Sequence, residues 1–128
     1  MSRRVEIARA YLKALEGNES PDLFFTPDIE QIEFPNRLNP NGGTSNLAEM
    51  KSRAERGRGM VRQQVYNVQR TYEQGDTVIL EVGWSATFNI AIGTLQPGDP
   101  MKASFAVFLE FAGDRIRRQR NYDCFEPF

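Results

Sequence analysis

Residues 101–128, MKASFAVFLEFAGDRIRRQRNYDCFEPF, decide how this chain folds. From Met101 to Phe111 an apolar residue takes every second place (Met101, Ala103, Phe105, Val107, Leu109, Phe111), the period of a strand with one buried face. Ala112-Gly113-Asp114-Arg115 then reads as a hairpin, since Gly and Asp tolerate the left-handed dihedrals of a tight two-residue turn. The stretch from Ile116 onward therefore pairs backward on Met101–Phe111. It is too rich in charged and amide side chains to be simple core, so its facing residues can line a cavity. Asp123, next to Tyr122, is then a candidate for chemistry, and Asn121 shares its strand parity and must share its face.

Working upstream, Val61–Glu73 is a long, polar strand, Gln74-Gly75-Asp76 a hairpin turn, and Thr77–Ile90 a second long strand. Val78, Leu80, Val82, Trp84, Ala86, Phe88 and Ile90 form the core side of the latter. Before Met60 the apolar period is helical. Ser2 can cap a first helix with Val5, Ala8, Leu12 and Leu15 on one stripe, Ile7 and Tyr11 beside it, and Gly17 as its stop. Ser20-Pro21 predicts a short second helix over Asp22–Phe25. Ile29–Phe34 reads as a brief strand stopped by Pro35, and Asn36–Gly43 as a loop. Thr44 or Ser45 caps a third helix to about Arg56, with Leu47, Met50 and Ala54 inward. The whole predicts one α+β domain over residues 1–128, in which three N-terminal helices cover a curved antiparallel sheet. Such a sheet makes a cone with a packed deep end and an open, mostly apolar pocket.

Composition narrows the chemistry. The 128 residues carry 16 basic and 17 acidic side chains, a net charge of −1, which gives no overall pull toward nucleic acid or an anionic membrane. The basic run Lys51, Arg53, Arg56, Arg58 and Arg62 alternates with Glu49 and Glu55 and reads as a solvated helix face, without the interleaved aromatics that stack bases. The absence of histidine removes Ser-His and Cys-His pairs and His-ligated metal, so acid-base work falls to Asp, Glu, Tyr or Lys. No metal or cofactor is expected. The one cysteine, Cys124, excludes an internal disulfide and reads as a buried, inert thiol. Glu6, Arg9 and Lys13 interrupt the first apolar run, so no signal-peptide core or membrane span is expected, and the cytoplasm is the default location.

The first-helix stretch Ala10–Asn18, the Ile32-Glu33-Phe34-Pro35 exit from the first strand, and Arg120-Asn121-Tyr122-Asp123 near the end together resemble the NTF2-like superfamily, with its cystatin-like cone. The nearest likeness is to its SnoaL-like branch of polyketide cyclases. The resemblance implies a small-molecule pocket and cofactor-free cyclase, isomerase or lyase chemistry on an apolar carbonyl compound. Tyr11 falls where ketosteroid isomerase-like members place an oxyanion-stabilising tyrosine. Their general-base aspartate would fall at Phe34 and its protonated partner near Val107, so that pair is missing. Glu33, one residue from the base position, points to the opposite face from Phe34. Asp123 resembles the acid-base residue of SnoaL-like cyclases, with Glu126 as the alternative register.

Two readings stay open for each candidate. Asp123 is either a pocket acid or a solvated strand end, and Tyr11 either an oxyanion donor or a core residue with a wet hydroxyl. Trp84, Phe34 and Phe105 shape an apolar cavity or simply fill the core, with Asn121 and Glu33 as polar ligand contacts. The expected partners are a small apolar or mildly polar ligand and a second copy of the chain, forming a homodimer through the outer sheet face. A non-catalytic association module is the rival class.

Overall fold

A computed structural model describes residues 2–128. Helix α1 spans Arg3–Glu16, with the Ser2 side chain accepting the Val5 N–H at 3.1 Å as its N-cap. Val5, Ala8, Tyr11, Leu12 and Ala14 are its buried face. The helix stops at Gly17, and the left-handed residue after it is Asn18, at φ 56°. Strands β1 (Phe25–Glu33) and β2 (Gly43–Ser45) follow, then helix α2 (Leu47–Gly57). A meander completes the chain: β3 (Val61–Gln74), β4 (Thr77–Phe88), β5 (Met101–Ala112) and β6 (Arg115–Phe125).

All six strands form one sheet in the order β2-β1-β6-β5-β4-β3. The hairpins expected at Gly75-Asp76 and Gly113-Asp114 join antiparallel neighbours, with Leu80 opposite Val107 and Val107 opposite Asn121. Register shifts in the β3–β4 and β5–β6 pairs mark the bulges at which the long strands bend, giving the sheet its curvature. The main core lies between the concave face and α1, where Ala8, Leu80, Val78, Leu109, Phe111 and Ile116 are at most 1 % exposed. A second cluster, Trp84, Ala86, Met101, Ala103 and Phe128, packs toward the other end of the strands.

Four expectations are corrected. The second helix is only a single 3-10 turn, Asp22–Phe24, so two α-helices rather than three cover the sheet. Phe25 is already extended there and pairs with Ile116, so β1 begins four residues before Ile29 and consumes the stretch that a helix would have needed. The sheet is not wholly antiparallel: β1 runs parallel to β6, with a shift in register between Phe25 and Glu30. Thr44 and Ser45 pair with β1 as β2, so the cap of α2 passes to Asn46, which forms a reciprocal capping box with Glu49. Finally, β4 ends at Phe88, leaving Ile90 exposed instead of in the core.

Candidate functional site

The concave face opens into a cavity of about 320 Å³. Strict alternation along β6 sends Gln119, Asn121, Asp123 and Phe125 into it. Trp84 from β4, Phe105 and Val107 from β5, and Tyr66 from β3 supply an apolar wall, across which Trp84 stacks on Phe105 with centroids 5.2 Å apart. Tyr11 and Leu12 of α1, and Met50 and Arg53 of α2, close the other side. Gln31 and Glu33 reach the cavity from β1.

A directed relay of hydrogen bonds crosses the floor. The Tyr11 hydroxyl, which is 2 % exposed, donates to Gln119 Oε1 at 2.9 Å, and Gln119 Nε2 donates to Asn121 Oδ1 at 2.9 Å. Because Tyr11 gives its proton to the Gln119 oxygen, Gln119 must present its amide N–H to Asn121, and the Asn121 oxygen is occupied. The group left over is the Asn121 Nδ2 donor. Burial pushes Tyr11 up to about 12, against the opposing pull of Gln119 and Arg53, so it remains a protonated donor at neutral pH.

Asp123 stands two residues beyond Asn121 on the same face, about 6.6 Å along the strand. Among the described residues no donor or cation pairs with its carboxylate. Removal from water against Trp84, Phe105 and Phe125 pushes it up to about 6, and the negative charge of Glu33 acts in the same direction. Glu33 itself accepts a hydrogen bond from Asn36 Nδ2 at 2.8 Å. Tyr66 is also raised, by burial first and then by Tyr11 and Asp123. Arg53 brings the cavity's positive charge, anchored through its guanidinium to Gln31 Oε1 at 2.5 Å and Ser45 Oγ at 3.0 Å.

Of the residues singled out in the sequence, Asp123, Tyr11, Trp84, Phe105, Asn121 and Glu33 line this one cavity. Phe34 does not. It lies on the other side of the sheet, stacked on Tyr122 at 4.4 Å, because it follows Glu33 by one residue in an extended chain. Cys124 is exposed rather than buried, since its parity is that of Tyr122. Arg117, Arg118 and Arg120 of β6 meet Glu110 and Glu30, and among the described residues none of these arginines pairs with Glu33 or Asp123.

Gln119, Tyr66 and Arg53 are among the cavity residues that escaped the sequence reading. Gln119 shares parity with Asn121 and Asp123, which was the available signal. Tyr66 was hidden in a strand dominated by polar residues. Arg53 belonged to a run taken as solvated, although its place one turn after Met50 puts it on the inward stripe. Among the described residues no group of three or more Cys, Asp or Glu side chains converges as a metal site. Among the described residues no helix is long and apolar enough to cross a membrane.

No protein-family profile and no curated protein matches the chain. Its fold does match solved structures. A proposed polyketide cyclase from Acidithiobacillus ferrooxidans superposes with a TM-score of 0.75 at 24 % identity, over 95 % of this chain and 88 % of that one. An NTF2-like protein of unknown function from Burkholderia pseudomallei gives 0.77 at 16 %, over 98 % and 92 %. TerC, co-crystallised with polyporic acid, gives 0.73 at 17 %, over 98 % and 92 %. At these identities the shared property is the fold, and that fold is NTF2-like.

Proposed function

We propose that this chain, an NTF2-like fold around an apolar cavity, binds a small carbonyl compound and moves one of its protons through Asp123 without a cofactor. The observation that carries this reading is the unpaired, partly desolvated Asp123 carboxylate beside an Asn121 amide whose N–H is already aimed by the Tyr11–Gln119 relay. The substrate oxygen accepts from Asn121 Nδ2. Asp123 then takes a proton from the adjacent carbon: the C–H bond breaks, an O–H bond forms on the carboxylate, and the electron pair moves onto the substrate oxygen as an enolate. Trp84 and Phe105 hold the planar enolate and exclude water. Return of the proton elsewhere gives isomerisation, attack of the enolate on a second carbonyl gives cyclisation, and loss of a β-substituent gives elimination. All three share this first step. Tyr11 acts here as a positioning residue rather than as the oxyanion donor itself.

A cavity that remains open supports this reading over a module that only associates. The occupancy of the same fold by polyporic acid in TerC accords with a small organic ligand. The chain is expected to act in the cytoplasm as a homodimer through the outer face of β5 and β6, where Tyr122 is 40 % exposed. A monomer mass by light scattering at working concentration overturns the dimer.

The chemistry is tested by α-proton exchange of simple cyclic ketones in D₂O, followed by NMR. The protein accelerates exchange, and Asp123→Asn loses about 10²-fold or more of that acceleration. Absence of exchange, or exchange unchanged in Asp123→Asn, refutes the proposal.

A further inference from the structure

A second cavity, larger than the first at about 450 Å³, lies between the end of α1, the 3-10 turn, α2 and the start of β3. The two are neighbours: Leu15, Pro21, Met50 and Ala54 line both. Beyond that shared wall the second cavity is floored by Phe25, Leu47 and Val61. Glu19, Asp22 and Glu55 line it against Lys51 and Arg58, with Lys51 Nζ 2.8 Å from an Asp22 carboxylate oxygen, so carboxylates outnumber cations and an anionic occupant is disfavoured. Met50 is the only long, flexible side chain in the partition, and an unbranched thioether can change rotamer to open a passage at little cost.

We infer that the second cavity is the binding site for an uncharged apolar arm of the substrate, whose carbonyl head sits at Asn121 and Asp123 and whose chain passes Met50. This rests on the proposed chemistry and adds the substrate class: a carbonyl head bearing an alkyl or aryl extension. A substrate of the first cavity alone would leave the apolar floor of the larger one, Phe25, Leu47 and Val61, against water that finds hydrogen-bond partners only at the polar rim of Asn18, Ser20 and Asp22.

The probes are 4-alkylphenols from ethyl to heptyl, whose hydroxyl mimics the enol, titrated calorimetrically into the full chain. Each methylene that enters the second cavity tightens binding about fourfold. Val61→Phe fills that cavity and abolishes the gain for heptyl while leaving ethyl unchanged. Gly57→Leu adds bulk to the cavity wall by an independent route, since Gly57 lines the cavity at the end of α2 and a Cβ there meets nothing within 4 Å. Ethylphenol binding that Asp123→Leu weakens, with no gain along the series or with a gain that survives both variants, overturns the apolar-arm site and leaves the proposed chemistry standing. Ethylphenol that fails to bind, or binds equally to Asp123→Leu, overturns both.

Discussion

Replacing Asp123 by Asn should make the protein more stable, and only above acidic pH. Folding raises this carboxyl from 3.8 to about 6, so the folded state holds its proton more tightly than the unfolded chain. Stability is therefore unaffected below about pH 4, where both states are protonated, and falls as pH rises toward 6 and the buried group is forced to ionise. The full rise corresponds to at most about 3 kcal/mol. Because the carboxyl opens partly onto a wet cavity, screening reduces this to about 1–2 kcal/mol. In a domain of this size that is a gain of about 4–8 °C in Tm. Thermal unfolding of both proteins by circular dichroism from pH 3 to 8 should give melting temperatures that coincide at the acid end, separate between about pH 4 and 6 and keep a constant gap above about pH 7, with the Asn variant higher. A gap that does not change with pH, or a variant less stable than the parent at pH 8, would refute a desolvated Asp123. The sign matters because it opposes the loss of activity. A residue whose removal stabilises the fold and abolishes proton exchange is one retained for chemistry.

Three further outcomes follow from the same geometry. Tyr11→Phe leaves the buried Gln119 oxygen without its donor, lowering stability by about 1–3 kcal/mol in chemical denaturation; it should also reduce kcat for ketone exchange more than KM, as the Asn121 amide loses its fixed orientation. Glu33→Gln removes the like charge facing Asp123, so the acidic limb of the exchange pH profile moves to lower pH; burial keeps it above the ordinary carboxylate range. Phe34→Ala deletes the stack on Tyr122, costing about 0.5–1.5 kcal/mol of stability beyond lost burial, and leaves alkylphenol affinity unchanged because Phe34 is outside the cavity.

How much was legible in the sequence follows the range of the interactions concerned. Period-two patterning from Thr77 to Phe111 and two Gly-Asp turns are local signals, and they placed the meander and its inward face, including Trp84 and Phe105. The same parity put Asn121 and Asp123 together. Pairing across long separations left no such trace: nothing near Phe25 announces that it joins Ile116, and so the first strand was read as starting only at Ile29, with Phe25 as the end of a helix. Side-chain reach is equally silent. Arg53 shares the inward face of its helix with Met50, but what holds its guanidinium at the cavity is Gln31 of β1 and Ser45 of β2, contacts that no local pattern announces. Tyr11 is likewise decided by Gln119, 108 residues away, whose oxygen accepts the phenolic proton and so ties the hydroxyl to the cavity floor.

The strand order has a consequence for how the protein comes into being. Strand β6 is sixth in the chain yet lies inside the sheet, wedged between β1 and β5. Until it arrives, β1 and β5 each show a bare row of backbone donors and acceptors, and the cone has a slot where one wall of its cavity belongs. The half-made chain thus lacks a cavity and is at its most adhesive. Insertion of one segment closes the two edges and installs Gln119, Asn121 and Asp123 together, so the molecule passes from sticky and open to sealed, with its cavity walled, in a single step.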